Sequence, residues 1–158
     1  MRAFAILLIL MAGCRGATPD SQRTAGDSSV AAVVADSTGT YELDLPARWQ
    51  GHFRVDSLST AERGRAQPGA FVFQYLPSDS TLRPQALLVI AVYDSAVWRS
   101  VLAEGGPPPG DSVAARNGRV YVVGLPQSNP FVPGSTDVTV FSLLELRPAE
   151  VATLVRLR

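Results

Sequence analysis

The sequence predicts an α+β domain in which an antiparallel sheet of five or six strands packs with two or three helices. Short segments that alternate apolar and polar residues favour strands with one buried face. An Asn117-Gly118 pair between two such segments favours a β-hairpin. Two further segments repeat apolar residues at helical spacing beside capping residues, which adds helices to the sheet. We expect these elements to form a single domain over residues 41–158.

Four strands are predicted in the first half of this domain. They are YELDL at 41–45, HFRVD at 52–56, AFVFQYL at 70–76 and QALLVIAVY at 85–93. Pro46 ends the first strand because proline has no N–H to donate to a neighbouring strand. A polar turn is expected at 59–68. The last strand is apolar on both faces, which predicts a central strand covered on each side.

A helix is predicted directly after the central strand. Asp94 or Ser95 caps its first turn, and Gly105-Gly106 stop it. Its apolar face combines residues at helical spacing, namely Val97, Trp98, Val101 and Leu102. The segment GGPPPG at 105–110 contains too many helix and strand breakers to be anything but a loop.

The segment DSVAARNGRVYVVGL is the strongest local signal in the chain. Asn117-Gly118 suits a type I′ turn, so residues 111–116 and 119–125 are expected to form a hairpin. This register places Arg116 opposite Arg119, and Val113 opposite Val122. The two arginines are either solvated at an exposed tip or form a site for an acidic ligand or partner.

Two segments have no unique interpretation from sequence. A helix capped by Ser135 or Thr136 and running to about Leu146 is favoured by the spacing of its apolar residues. The β-branched stretch within it favours a strand instead. VAAVVA at 30–35 is either an edge strand or a helical turn. Pro148 suits the first turn of a last short helix, because its missing N–H costs nothing there.

The N-terminus has the sequence pattern of an export signal. Arg2 precedes an apolar run ending at Met11, and small residues follow, which is the pattern of a signal peptide over residues 1–13. The run is too short to span a bilayer, because a spanning helix needs about 20 apolar residues. The single cysteine of the chain, Cys14, comes directly after this segment.

The segment Met11-Ala12-Gly13-Cys14 resembles the lipobox of bacterial lipoproteins, with Met11 where that family usually has leucine. The resemblance implies cleavage before Cys14, a diacylglycerol on its thiol and acylation of its new amine. A free or intermolecular thiol and an ordinary secretory signal are the alternatives. Residues 14–40 then form a lipidated, flexible tether. Arg15, rather than Asp, resembles lipoproteins that reach the outer membrane of Gram-negative cells.

A second resemblance covers residues 41–157. The segments LDLPARWQGHFRVD and LLVIAVYDSAVW, a hairpin and an apolar C-terminal segment resemble an uncharacterised group of bacterial lipoprotein domains. The order of elements is similar to the Mog1/PsbP-like sandwich, which implies a fold and no activity.

Composition excludes several kinds of site. His52 is the single histidine and Cys14 the single cysteine, so a multi-histidine metal site and a Cys/His zinc site are excluded within one chain. The 14 basic residues, all arginine, balance the 14 acidic ones and form no stripe that nucleic acid would need. The chain has no Gly-x-Ser-x-Gly elbow to present a nucleophile. We therefore expect no catalytic residues, metal or cofactor.

The best candidate for a contact surface is a proline-stiffened loop together with the hairpin tip. Its residues are Gln127, Ser128, Asn129, Phe131, Arg116 and Arg119. Trp49 and Trp98 are expected in the core. The leading hypothesis is a membrane-tethered envelope lipoprotein whose non-enzymatic domain binds a ligand or envelope protein or supports an assembly. The alternatives are a secreted hydrolase and a small-molecule or lipid carrier with a cleft between sheet and helices.

Overall fold

The computed structural model describes residues 30–36 and 38–158. The predicted signal peptide, Cys14 and the tether as far as residue 29 lie outside the described residues. The strands are β1 Val30–Ala35, β2 Tyr41–Pro46, β3 Phe53–Ser57, β4 Phe71–Tyr75, β5 Gln85–Asp94, β6 Asp111–Arg116, β7 Arg119–Gly124 and β8 Val155–Leu157. The helices are α1 Thr60–Arg63, α2 Ser95–Ala103, α3 Thr136–Leu144 and α4 Pro148–Leu154, with a 3-10 helix at Ala47–Trp49.

The predicted α+β class with a five-stranded antiparallel sheet is confirmed. The five strands lie in the order β3-β4-β5-β7-β6, and every neighbouring pair is antiparallel. A second antiparallel sheet, in the order β1-β2-β8, was not predicted. The short α1 was also missed, since it forms within the polar turn expected at 59–68. Strand β8 has only three residues, too few for an alternating pattern to be recognised.

The larger core lies on one face of the five-stranded sheet. It combines the inward residues of β2, which are fully buried as the alternation predicted, with residues of β4, β5, α3 and α4. Trp49 is fully buried in this core, and its indole N–H donates to the Leu144 carbonyl at 2.7 Å. This bond ties the 3-10 helix to the end of α3.

The opposite face of the sheet carries a smaller core. Tyr93 and Val122 from the sheet pack there with Trp98 of α2, and the rings of Tyr93 and Trp98 lie 5.2 Å apart. Of the two predicted caps of α2, Asp94 is the one present, since it accepts from the Ala96 amide at 2.8 Å. Strand β5 lies at the centre of the sheet and contributes residues to both cores, which confirms the predicted central strand; on the side of the smaller core it is covered only in part.

The predicted hairpin is present, with one error in its register. Asn117 and Gly118 have φ values of 51° and 74°, as a type I′ turn requires, and Arg116 faces Arg119. Val113 was expected opposite Val122, but Ser112 takes that position. A bulge between Ser112 and Ala114 inserts one residue into β6 and shifts the pairing.

The structure shows which secondary structure is adopted by the two segments that had no unique interpretation from sequence. Residues 136–144 form α3, in which Ser135 accepts from the Val138 amide at 3.2 Å. Residues 30–35, within the expected tether at 14–40, form an edge strand paired with β2. The folded part of the chain therefore includes Val30 and does not begin at Tyr41. In the described part of the chain, no helix has the length and apolar character needed to cross a bilayer.

Candidate functional site

The smaller core leaves part of the five-stranded sheet uncovered, and a cleft of about 440 Å³ lies there. Its floor consists of apolar side chains of β5 and β7, namely Val89, Ala91, Tyr93 and Val122. We call this feature the sheet cleft. Its walls are α1 on one side and, on the other, Pro109 with the loop after β7.

Polar side chains are few in the sheet cleft and lie around its walls. They are Glu62 and Arg63 of α1, Gln85 at the start of β5, and Gln127 and Ser128 of the loop after β7. An apolar floor with a small number of polar groups is typical of sites for small molecules, because burial supplies affinity and the polar groups fix orientation.

Helix α1 positions the charged groups through a capping box. The Glu62 amide donates to the Ser59 hydroxyl at 3.3 Å, and the Ser59 amide donates to the Glu62 carboxylate at 2.9 Å. The Ser59 hydroxyl and amide lower the pKa of Glu62 below its ordinary value. Glu62 is therefore ionised near neutral pH while its carboxylate stays bound to the helix start.

Arg63 is the next residue of α1, and its guanidinium has hydrogen-bond partners for only some of its N–H groups. One terminal nitrogen donates to the Thr60 hydroxyl at 3.1 Å. Its Nε is buried and has no hydrogen-bond partner among the described residues. A buried donor without an acceptor costs about 1–3 kcal/mol, and more when the group is charged. The guanidinium of Arg63 thus retains a desolvated N–H next to the sheet cleft.

A second, more open hollow of about 360 Å³ adjoins the sheet cleft, since both are lined by Glu62, Arg63, Tyr93 and Pro109. Arg65 closes its far side with two bonds to Glu104, at 2.6 and 2.8 Å. This pairing lowers the pKa of Glu104. The charge of Arg65 is therefore engaged, whereas Arg63 has no carboxylate within ion-pair distance in the described chain.

The residues of the predicted contact surface lie in different environments in the structure. Gln127 and Ser128 are exposed and line the sheet cleft. Asn129 instead holds the loop to α3, since its amide nitrogen donates to the Val138 carbonyl at 2.8 Å and to the Ser142 hydroxyl at 2.9 Å. Two of the four loop residues that we predicted are thus part of a cleft, and Asn129 has a structural role.

Phe131 was expected to be exposed, and this expectation is wrong. The residue is only 8% exposed, and its ring packs edge-on against Tyr75 and Phe141 at 5.4 and 5.5 Å. The Asn129 side chain accepts from the Phe131 amide at 3.0 Å, which turns the loop and places the ring in the core. Val132, which follows it, is the exposed apolar residue of this loop.

The hairpin tip lies apart from the sheet cleft. Neither Arg116 nor Arg119 lines it. Arg116 donates to the Leu157 carbonyl at 3.2 Å, which connects the hairpin to β8. Arg119 is paired in register with Asp94 of β5 as well as with Arg116, so an opposite charge lies beside it. The Arg116 side chain is therefore bonded within the fold, whereas Arg119 is placed by the register of its strand.

The chemistry-bearing residues weighed from sequence do not converge. His52 is exposed in the turn before β3, and its backbone bonds to Trp49 and Leu76. Within the described residues, no three His, Cys, Asp or Glu side chains are grouped so that they could hold a metal ion. Cys14 lies outside the described part of the chain.

Sequence reasoning missed Arg63, Glu62 and the floor of the cleft. The one available signal was Ser59-x-x-Glu62, the spacing of a capping box, which indicates a helix start inside the segment read as a turn. Comparison of this chain with family models, with curated proteins and with solved structures finds no match. The sheet cleft and the N-terminal segment are therefore the features that bear on function.

Proposed function

We propose that this chain is a lipid-anchored protein of the bacterial envelope, at the outer membrane in Gram-negative cells, whose domain binds a small ligand. Binding without catalysis is the proposed activity, and the sheet cleft is the proposed site. The anchor is proposed from the resemblance of the segment ending at Cys14 to a lipobox.

The sheet cleft is the observation that carries the binding proposal. Its volume of about 440 Å³ lies within the range of roughly 300–1,000 Å³ that is common for small-molecule sites. Tyr93 and Val122 supply apolar surface on its floor, and Gln85, Gln127 and Ser128 supply donors and acceptors on its walls. Such a cleft buries the apolar part of a ligand and leaves a few directed hydrogen bonds to select it.

Filling the cleft tests the binding site. Ala86 lines it and is exposed, so Ala86→Trp adds an indole there without entering either core. We expect this variant to bind the uncharged dye Nile red about tenfold more weakly than the parent, because the indole occupies apolar volume. Fluorescence titration of residues 14–158 carrying Cys14→Ser measures this, so that neither the apolar signal segment nor an attached acyl chain competes for the dye.

The matched control for this experiment is Ala115→Trp, which adds the same side chain at an exposed position of β6 outside the cleft. Equal dye affinity of the two variants would show that the cleft is not the binding site. Far-UV circular dichroism and melting curves establish that both variants are folded.

The anchor is tested separately at Cys14. Cells that express the parent chain or Cys14→Ser are labelled with radioactive palmitate, and the protein is immunoprecipitated. We expect label on the parent and none on the variant, which should also remain uncut or appear in the soluble fraction, because the thiol is the acceptor. Equal labelling of the two chains would contradict the proposed anchor.

Docking of an envelope protein is a second candidate function. Val132 and Leu143 are 75% and 68% exposed. Val132 lies on the loop and Leu143 on α3, and these two segments are held together by the ring contact between Phe131 and Phe141. Crosslinking in intact cells, with Val132→Ser and Leu143→Ser as the perturbation, tests this candidate. A crosslinked envelope protein that is lost in these variants and kept in Ala86→Trp would favour docking over ligand binding.

A further inference from the structure

Strand β1 forms one edge of the three-stranded sheet, and no described strand lies beyond it. The Asp36 amide donates to the Tyr41 carbonyl at 3.2 Å. Because bonded and unbonded residues alternate along an antiparallel pair, this bond places Val34, two residues earlier, among the residues that bond to β2. Val33 and Ala35 belong to the other set. Their N–H and C=O groups therefore point away from β2, toward the free edge.

The other three sheet edges of the described chain carry features that hinder the addition of a strand. Strand β3 contains the exposed ion pair of Arg54 and Asp56, at 3.0 Å. Strand β6 has a bulge and ends at Arg116, whose guanidinium donates to a carbonyl of the three-residue β8. Charges, bulges and short length all protect edges from pairing. Strand β1 consists of valine and alanine alone, and its irregular part is confined to its start, between Val30 and Ala32.

We propose that the free edge of β1 pairs with β1 of a second copy of this chain, antiparallel and about a twofold axis, so that two three-stranded sheets become one continuous sheet. The register centred on Val34 uses every outward backbone group of the regular part of the strand. Val33 of each copy then exchanges hydrogen bonds with Ala35 of the other. This inference concerns self-association and stands apart from the sheet cleft.

The side chains of β1 fit those of a second copy on both faces of the sheet. On the outer face, Val33 is 51% exposed and would lie opposite Ala35 of the second copy. On the inner face, Val34 is half-buried against the larger core and would lie opposite its own counterpart. Small and β-branched apolar residues pair well across strands. The edge selects an uncharged strand of small residues, and the second copy supplies one.

The charges near β1 do not oppose this pairing and favour no charged partner. Glu42 and Asp44 of β2 are paired with Arg156 and Arg158 of β8. In the joined sheet, β2 would lie three strand spacings, about 14 Å, from its counterpart. Asp36 would lie about 14 Å along the strand from its own counterpart. Both separations exceed the Debye length of about 8 Å at physiological ionic strength, so repulsion between the copies is screened.

Sedimentation equilibrium of residues 14–158 carrying Cys14→Ser measures the association. An edge contact is small, so we expect a reversible dimer with a Kd on the order of 10–100 μM. Val33→Pro removes an outward N–H and no bond to β2, so it should weaken the dimer about tenfold or more. Val33→Lys brings like charges to the edge and should weaken it similarly, with partial recovery at high salt. Ala115→Lys is the matched control, at an exposed position of β6, and should leave the Kd unchanged.

Val34→Cys tests the register. Cys14→Ser removes the single native cysteine, so the new thiol has no partner within its own chain. At the centre of the pairing, the two copies of residue 34 form a pair without hydrogen bonds, whose Cα atoms lie about 4.5 Å apart, within the reach of a disulfide. Oxidation with copper phenanthroline should therefore yield about tenfold more disulfide-linked dimer for Val34→Cys than for the control Ala115→Cys.

A monomer over the whole concentration range overturns the proposal, as does a dimer whose Kd is the same in Val33→Lys and Ala115→Lys. Equal crosslinking of Val34→Cys and Ala115→Cys overturns the register. A monomeric domain that loses a crosslink to another envelope protein in Val33→Lys would assign the edge to a foreign strand instead. If melting curves show that Val33→Pro is unfolded, the two lysine variants decide. Nile red affinity should be equal in Val33→Lys and Ala115→Lys, so this inference and the proposed function can fail separately.

Discussion

Replacement of Trp49 tests how the 3-10 helix is joined to the core. Trp49 is fully buried, its ring lies 5.6 Å from Phe53 and 6.0 Å from Phe73, and its N–H donates to the Leu144 carbonyl. Trp49→Ala removes the ring and the bond, and we expect a loss of about 4 kcal/mol in the free energy of unfolding. For a domain of this size, that loss lowers Tm by about 15 °C.

Trp49→Phe separates the two contributions. It keeps one aromatic ring, so it should cost about 2 kcal/mol, of which about 1 kcal/mol is the lost hydrogen bond and about 1 kcal/mol the smaller ring. The Leu144 carbonyl at the end of α3 loses its indole donor in this variant. The loss therefore affects the junction of two segments that are far apart in the chain.

Urea denaturation followed by far-UV circular dichroism measures these losses. His52→Ala, at an exposed position three residues along the chain, is the control and should stay within about 0.5 kcal/mol of the parent. The reasoning is refuted if Trp49→Phe is as stable as His52→Ala, or if Trp49→Phe and Trp49→Ala lose the same free energy. The first result would show that the hydrogen bond does not stabilise the domain, and the second that the ring retained in Trp49→Phe does not stabilise it.

Two further predictions concern pH and close packing. In the folded domain, hydrogen bonds from the Ser78 amide and the Tyr75 hydroxyl lower the pKa of Asp137, so its stabilising contribution is present above about pH 4 and lost as pH falls through the folded pKa. Urea titrations from pH 7 to pH 2 should show this loss, and Asp137→Asn should flatten it. Gly110→Ala should cost about 2 kcal/mol by thermal unfolding, because its Cβ would overlap the carbonyl of Val123, whereas Gly106→Ala should change little.

A buried aspartate in the β1–β2 turn shows why a lowered pKa cannot be predicted from sequence alone. Desolvation acts to raise the pKa of Asp36, but hydrogen bonds from Thr38, Tyr41 and Thr40 outweigh it and hold the pKa below its ordinary value. These groups are neighbours in sequence, yet the turn brings them to one carboxylate only because β1 pairs with β2. The sequence did not identify β1 as a strand, so it did not reveal this turn.

Local sequence patterns predicted secondary structure correctly where a short segment contains all the residues that determine it. The alternation at Tyr41, Leu43 and Leu45 and the turn at Asn117-Gly118 appear in the structure as predicted, and Asp94 is the cap of the two that were predicted. Each depends on φ and ψ preferences or on a period within a few residues, so distant segments change it little.

The candidate site was only half visible from sequence. Gln127 and Ser128 were identified because a loop rich in turn residues exposes polar groups. Arg63 was missed because nothing in the segment around it indicates that its Nε is buried without a hydrogen-bond partner. Phe131 was misplaced, since its burial depends on Tyr75 and Phe141, which lie in other elements.

The sequence by itself determined the α+β class, the central strand β5, the hairpin of β6 and β7, and the resemblance of the N-terminus to a lipoprotein signal. Tertiary structure alone decided that 136–144 is a helix and 30–35 a strand, and that a second sheet exists. It also decided the sheet cleft. The physical reason is that burial is a property of pairs of segments. Propensity within one segment cannot show which apolar face a distant segment covers or which donor it leaves without an acceptor.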